Sequence, residues 1–425
     1  MSDRSRRAFL TSVGAASVMT LAGCAGTHGE GETSSETTEQ HASTSNTTKT
    51  TSDASRESQR LNRDTFENLG VWSATGDSTL KKGKKGYEGS QSAHVLGSSR
   101  SNVGEIFRAD GPVDLTGKNI SLMYKCTSHQ FSKIAVNLYA PDRGHIVELK
   151  RTLYGPKDRW VRVNLGVTNV EDQKNVDLSQ VFEIHITGRP VDTQSTRPVD
   201  FFVDDLKTVS PPKRGKVMLT FDDGAESHYT KAHSTMKKYG FSGVEAIIPP
   251  AIDTDGYLTQ NQMREMVGDG WNMIAHPNTQ AMPMDKRPAK EQERLMMEAK
   301  NWLKKYGYDG HKYMAVPKNV VGADTFDLAM KHFDVSLSFG ASPNALPAVT
   351  ENTILSRAYG TGKTKTTKEV IDHAAHYNQL SILLFHEIGG DGFSEKKFES
   401  ILDYIDRSRV DVVTMTDLEE RGLFI

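Results

Sequence analysis

The stretch KVMLTFDDG, residues 216–224, governs how the C-terminal half of this chain is read. Lys216–Phe221 reads as a β-strand that runs straight into two carboxylates and a glycine, Asp222, Asp223 and Gly224. Alone, Asp-Asp-Gly after a strand is a turn signal. The segments that follow give it more weight. SHYTKAHSTMKKYG (227–240) has helical character, GVEAIIPP (243–250) is a second strand, LTQNQMREMVGDG (258–270) is a helix opening at Thr259, and WNMIAHP (271–277) is a third strand. RPAKEQERLMMEAKNWLKKYG (287–307) carries apolar residues at helical spacing. Later, SILLFHE (381–387) reads as a strand and EKKFESILDYIDRSR (395–409) as a helix, and VDVVTMTDL (410–418) closes the alternation. Strands alternating with helices predict a parallel sheet with crossover helices, open or closed into a barrel.

Three of these strands end in titratable side chains: Asp222 and Asp223, then His276, then His386 with Glu387. In a β/α barrel the C-terminal strand ends share one rim, where chemistry is placed. Two carboxylates and two histidines on one rim can hold a metal ion and still supply a base and an acid. The competing reading of each histidine is a buried, hydrogen-bonded structural residue. Glu387 reads as a surface or supporting group, and His228 and His311 read as surface residues.

With TFDDG (220–224), HPNTQ (276–280) and LLFHEIG (383–389) in this order, residues 213–425 resemble a polysaccharide deacetylase domain of the NodB-homology, carbohydrate esterase family 4 type. The resemblance covers about half the chain. It implies a distorted (β/α) barrel and metal-dependent N- or O-deacetylation of a carbohydrate polymer. By that resemblance Asp222 is the general base, Asp223 and His276 are metal ligands, and His386 is the general acid. The implied cofactor is a divalent ion of the zinc, manganese, cobalt or nickel type. Such an ion lowers the pKa of a bound water and polarises an acetyl carbonyl. A histidine, titrating near neutrality, suits protonation of a departing amine.

The sequence departs from the family pattern in two places. Gln280 stands where a third ligand, a histidine, is expected. A glutamine oxygen is a neutral donor suited to harder ions and weak for zinc. Three outcomes stay open: Gln280 binds through oxygen, water replaces it, or the site is empty. In MAVPKN (314–319), Ala315 occupies the place of an arginine that often orients the catalytic aspartate. Arg357, in ILSRAYG (354–360), is expected to supply that charge. Asp334 is the candidate carboxylate partner of His386.

Upstream the grammar is different. NISLMYKC (119–126), KIAVNLYA (133–140), WVRVNLG (160–166), VFEIHIT (181–187) and VDFFVDDLKTV (199–209) are short strands separated by Gly, Pro, Asp and Asn clusters. That pattern predicts an all-β sandwich, and SPPKRGKV (210–217) reads as a linker after it. The order of FENLGVWSATGD (66–77), GSQSAHV (89–95) and the closing strand loosely resembles jelly-roll carbohydrate-binding modules. That resemblance implies Glu67 and Asp205 as structural calcium ligands. It makes Trp72, Tyr139, Tyr154 and Trp160 candidate sugar-stacking aromatics, with a core position as the competing reading for each.

The N-terminus reads MSDRSRRAFLTSVGAASVMTLAGC. Its apolar run is shorter than the ~20 residues needed to span a bilayer. With Arg6-Arg7 ahead of it, it reads as a Tat-type export signal. LAGC resembles a lipobox, which makes Cys24 the lipidated first residue of a protein anchored to a membrane. Residues 25–60 are rich in Ser and Thr and lack large apolar side chains, as in a disordered stalk. Cys126 is the only other cysteine, so the fold depends on packed cores rather than disulfides. A net charge of −2 without a basic stripe gives no reason to expect nucleic acid. Asn46 and Asn119 open glycosylation sequons.

The expected organisation is a signal at 1–24, a linker at 25–60, a β-sandwich at 61–209 and a barrel at 213–425. Two functions from different classes follow. One is an exported deacetylase of an N-acetylated polysaccharide, held on its substrate by the sandwich. The other is a carbohydrate-binding surface protein whose metal site has decayed at Gln280.

Overall fold

The computed structural model describes residues 59–425 apart from 99, 101 and 390–392. The expected signal, Cys24, Asn46 and nearly all of the stalk lie outside the described residues. Among the described residues, no helix is long and apolar enough to cross a membrane.

The C-terminal half holds eight parallel strands: Gly215–Asp222, Val244–Ile247, Asn272–Ala275, Tyr313–Ala315, Val335–Phe339, Ile354–Tyr359, Leu380–Phe385 and Val410–Val412. The second to the seventh pair in chain order. The first pairs with both the seventh and the second, closing a seven-stranded ring, and the eighth lies along the first. Every residue of the first and seventh strands is buried. Strands enclosed between a lumen and a coat of helices have no solvent face, so their sequences are runs rather than alternations. Phe221 shows the outer packing, resting on Trp271, Phe385 and Phe398. Phe398 belongs to the helix Glu395–Arg407, which buries Phe398, Ile401, Leu402 and Ile405 along one stripe. The helix Gln260–Gly268 opens with a reciprocal capping box between Thr259 and Gln262. The segment expected to be one helix at 227–240 is a π-helical turn, His228–His233, followed by a short α-helix, Ser234–Lys238.

Residues 59–209 build two antiparallel six-stranded sheets. One contains Trp72–Ala74, Gly104–Arg108, Phe131–Tyr139, Ile146–Tyr154, Val167–Glu171 and Glu183–Pro190. The other contains Arg63–Asp64, Thr79–Gly83, Ser92–Leu96, Asn119–Cys126, Val161–Leu165 and Asp200–Val209. Ile106, Ile134, Val136 and Ile186 from the first share one core with Val95, Leu122, Phe201 and Val203 from the second.

The segment read as a linker does not separate two free bodies. The described residues belong to one compact unit. The strand Val161–Leu165 is buried at every residue, and Asn119–Cys126 at all but Lys125, because the barrel covers their outer face. Asn119 Nδ2 donates to the Leu346 carbonyl at 3.0 Å and its Oδ1 accepts from Gln379 Nε2 at 3.0 Å. That burial closes Asn119 to glycosylation. Asn164 bonds both the N–H and the carbonyl of Val349 at 3.0 Å. Arg151, 2 % exposed, donates to Ser342 Oγ (2.7 Å), Asn344 Oδ1 (3.0 Å) and the carbonyls of Asn164 and Pro343. Burial pushes its pKa down to about 9.

Candidate active site

Asp222, Asp223, His276, Arg357 and His386 each lie in or just after the C-terminal end of a barrel strand. Asp222 is the last residue of the first strand, and Asp223 follows at φ +81° with Gly224 at φ +76°. Two successive left-handed residues turn the chain sharply off the strand. Asp tolerates that region better than most residues, and glycine enters it freely. The Asp223 N–H is held by the Ala246 carbonyl at 3.1 Å. His276 follows the third strand, Arg357 lies in the sixth, and His386 follows the seventh.

Arg357, 0 % exposed, spans the lumen and donates from Nη1 to Asp222 Oδ1 at 2.7 Å. Its Nη2 donates to Asn319 Oδ1 at 2.9 Å. Asn319 is carried by two successive left-handed residues, Lys318 (φ +57°) and Asn319 (φ +58°), in the loop after the fourth strand. The MAVPKN segment therefore contributes the side chain that steadies the arginine. Burial alone would raise the Asp222 carboxyl. The Arg357 guanidinium, helped by His276 and His386 nearby, outweighs it and holds Asp222 below the usual carboxylate range.

His276 is buried, and its Nδ1–H donates to the Ala315 carbonyl at 2.9 Å. That bond fixes the ring and leaves Nε2 aimed at Asp223 Oδ1, 3.5 Å away. Partial desolvation works against Asp223 ionising, yet the neighbouring histidines, His276 first, bring its pKa to about 2. Burial lowers the proton affinity of His276, and Asp222 and Asp223 more than restore it.

This pair fits a divalent cation in part. Two carboxylates that draw a proton onto His276 would draw a metal ion equally, and a ligating histidine typically donates its other ring N–H to a carbonyl as His276 does. Among the described residues, no cluster of three or more His, Cys, Asp or Glu forms a complete cage. Gln280 is exposed, with φ +53°, and its backbone N–H bonds Asn278 Oδ1 at 3.2 Å. Among the described residues its side chain has no hydrogen-bonding partner.

Residues 210–333 match the family model described as polysaccharide deacetylase. The match spans the first four of the eight barrel strands. The matched segment contains Asp222, Asp223, His276 and Gln280; Arg357 and His386 lie beyond it. A putative polysaccharide deacetylase, YxkH of Bacillus subtilis (strain 168), is 35% identical over 65 residues, 15% of this chain and 23% of that protein's length. Similar solved structures include the Xyl-CE4 domain of a multidomain xylanase from the hindgut metagenome of Trinervitermes trinervoides (16% identity, TM-score 0.37, 49% of this chain and 92% of that one). A family 4 acetyl xylan esterase from Clostridium thermocellum, in complex with a cobalt ion, gives 17% identity and a TM-score of 0.36 over 49% of this chain and 92% of that one.

Two residues of the barrel half depart from the sequence reading. His228 is not at the surface: it is 0 % exposed, with Nδ1 2.9 Å from Glu245 Oε1, and its Nε2–H donates to the His386 carbonyl at 3.0 Å. Burial pushes Glu245 up to about 7. This buried pair braces the strand end that carries His386, and a lone Glu in an apolar strand (VEAI) was its only sequence signal. Asp334 cannot partner His386. It is exposed just before the fifth strand, at the opposite end of the barrel from the rim.

The antiparallel half corrects further expectations. Trp72 is a core residue, 4 % exposed, tilted on Phe66 at 5.1 Å with its indole N–H on Asp64 Oδ2 at 3.0 Å. Trp160 and Tyr139 are both half-buried, Trp160 just before the strand Val161–Leu165 of one sheet and Tyr139 at the end of Phe131–Tyr139 in the other, so they form no common platform. Lys125 Nζ lies 4.7 Å over the Trp160 ring, and Tyr139 packs on His185 at 4.7 Å. Asp205, 0 % exposed, is neutralised by Arg162, Arg63 and Lys207. Three cationic side chains on one carboxylate do not fit a calcium ion. Glu67 spends its oxygens separately, on the N–H and hydroxyl of Ser90 and the N–H of Gln91.

Proposed function

We propose that the protein hydrolyses acetyl groups, N-acetyl in the first instance, from a carbohydrate polymer. The observation that carries this reading is the Arg357–Asp222 ion pair beside Asp223 and His276, on the rim of a polysaccharide deacetylase domain. A divalent cation held by Asp223 and His276 would lower the pKa of a water and polarise the acetyl carbonyl. The remaining work belongs to the chain. Arg357 Nη1 occupies Asp222 Oδ1 and keeps the carboxylate ionised, leaving Oδ2 to take the proton of the attacking water. His386 is half-buried and follows the strand that pairs with the Asp222 strand; it protonates the departing nitrogen. Asn319 and Arg357 hold the base in one orientation.

The antiparallel half fits a jelly-roll-like carbohydrate-binding role. In the cell the protein acts as an exported lipoprotein, processed at Cys24 after a Tat-type signal, with residues 25–60 as its stalk. A second reading, a binding protein without turnover, is favoured by one observation: the exposed, unpartnered Gln280 side chain. Acetate release from acetylated chito-oligosaccharides, peptidoglycan and xylan, measured with divalent metal added, separates the two. Turnover that disappears in Asp222→Asn supports the enzyme. Polymer binding with no acetate from any of the three substrates supports the alternative.

A further inference from the structure

Among the described residues six large hydrophobic side chains are exposed, and two of them, Phe131 and Tyr359, end a row of four aromatic rings that crosses the junction of the two halves. Phe131 is 38 % and Tyr359 43 % exposed. Tyr154 and Phe339, both half-buried, lie between them. The ring centroids form a chain: Phe131 to Tyr154 is 5.4 Å, Tyr154 to Phe339 is 5.9 Å, and Phe339 to Tyr359 is 4.4 Å. Phe131 and Tyr154 are register partners on adjacent strands of the antiparallel half. Phe339 and Tyr359 end the fifth and sixth barrel strands.

This row abuts the reaction centre. Tyr359 lies two residues beyond Arg357 on the same strand, hence on the same face and about 7 Å further along. Phe339 is the register partner of Arg357 itself, and Tyr359 pairs with Leu384, two residues before His386. Burial, and then the neighbouring Tyr359, push the Tyr154 phenol up.

The junction holds the row rigid. The Val321 N–H donates to the Tyr154 carbonyl at 2.9 Å, and the Thr152 N–H to the Gly340 carbonyl at 3.1 Å. Gly155 (φ +101°) lets the backbones meet: a Cβ there would fall 1.8 Å from the Val321 oxygen. Arg151 pins the loop at 342–344 from beneath.

From this arrangement we infer that Phe131, Tyr154, Phe339 and Tyr359 form a sugar-stacking ledge, a subsite that carries the polymer from the antiparallel half onto the catalytic rim. The inference rests on the proposed polysaccharide substrate. A fixed row of aromatic rings, exposed at its two ends and half-buried between them, suits the C–H faces of pyranose rings, which bury apolar area while their hydroxyls stay in water. A free acetyl ester needs only the rim, whereas a chain of several sugars must cross the ledge. The antiparallel half thus takes part in the active site through the end of the strand Ile146–Tyr154, not through Trp72 or Trp160.

The test uses the full chain with Phe131→Ala plus Tyr154→Ala, beside Tyr154→Phe, which keeps the ring. Retention on insoluble peptidoglycan, chitin and acetylated xylan is measured, together with hydrolysis of 4-nitrophenyl acetate and of an acetylated hexasaccharide. The double alanine variant is expected to lose retention on the polymer that holds the native protein. Its KM for the hexasaccharide should rise about tenfold with small-ester turnover unchanged, while Tyr154→Phe behaves as native. Retention that survives the double substitution, or no retention of the native protein on any of the three polymers, overturns the ledge. Ring-dependent retention without acetate release from any substrate would leave the ledge standing and sink the deacetylase reading.

Discussion

Arg357 works by occupying one oxygen of a buried carboxylate and cancelling its charge. Removing it strands Asp222 in the lumen, and breaking a buried pair from one side costs roughly 3–5 kcal/mol. Arg357→Ala is therefore expected to lower both the denaturation midpoint and turnover, the latter by at least about 100-fold. Arg357→Lys should recover stability before activity, since an ammonium cannot hold Asp222 and Asn319 in one plane. Unchanged acetate release in the alanine variant would remove Arg357 from the site. The metal pair makes a separate prediction. His276→Ala should empty the protein of divalent metal, as measured by elemental analysis after dialysis, whereas Gln280→Ala should leave the content unchanged because its side chain is exposed and unpartnered. Loss of metal in Gln280→Ala would mean that the glutamine is a ligand after all. At this scale the sequence was most legible at the strand ends: Asp222, Asp223, His276 and His386 follow recognisable runs. Asn319 and the His228–Glu245 pair were not legible, because their roles depend on partners 38 and 17 positions away.

At the scale of elements, the turn after the strand Ile146–Tyr154 is the most constrained. Gly155→Ala would place a methyl group on a backbone oxygen and force a left-handed residue, so it should destabilise the protein by about 2 kcal/mol or more. It should also weaken polymer retention by displacing Tyr154, and a thermal melt with a pull-down reads both. The outer sheet carries a pH-dependent cluster. His185 sits between Glu105 Oε1 (2.6 Å) and Glu183 Oε2 (3.0 Å). Burial lowers its proton affinity, but the two carboxylates outweigh burial and raise its pKa, while both glutamates are lowered. The histidine's contribution is thus fully present below about 6.5 and lost as pH rises through its folded value. The glutamates' contribution is present above their unfolded range and lost as pH falls through their folded values. His185→Gln should cost about 1–2 kcal/mol near pH 6 and clearly less at pH 9; an equal cost at both would show that His185 is not charged in the fold.

At the scale of the whole molecule, the two halves share buried polar contacts that neither can satisfy alone. Arg151, Asn119 and Asn164 each lose hydrogen-bonding partners if the halves separate. A single cooperative unfolding transition is expected for residues 59–425, with residues 213–425 alone failing to give a stable fold. Two well-separated calorimetric transitions would contradict this. The same welding brings the end of the strand Ile146–Tyr154 against Phe339 at the end of the fifth barrel strand.

The sequence by itself determined the two strand grammars, the alternation that builds a parallel sheet, and the strand ends where titratable groups gather, because these follow from local spacing of apolar and turn-forming residues. Only the tertiary structure decided three further matters: closure of the ring, the Asn319 side chain that steadies Arg357, and which aromatics are buried. Strand 119–126 reads as one strand of a sandwich, whose outer face ordinarily meets water, yet here that face is buried under the barrel. Trp72 is consumed by the core, while Tyr154 and Phe339, 185 positions apart, pack on one another at the end of the fifth barrel strand. Burial, ion pairing and stacking are made by distant chain segments that fold side by side, and a local sequence pattern carries no record of which segments those will be.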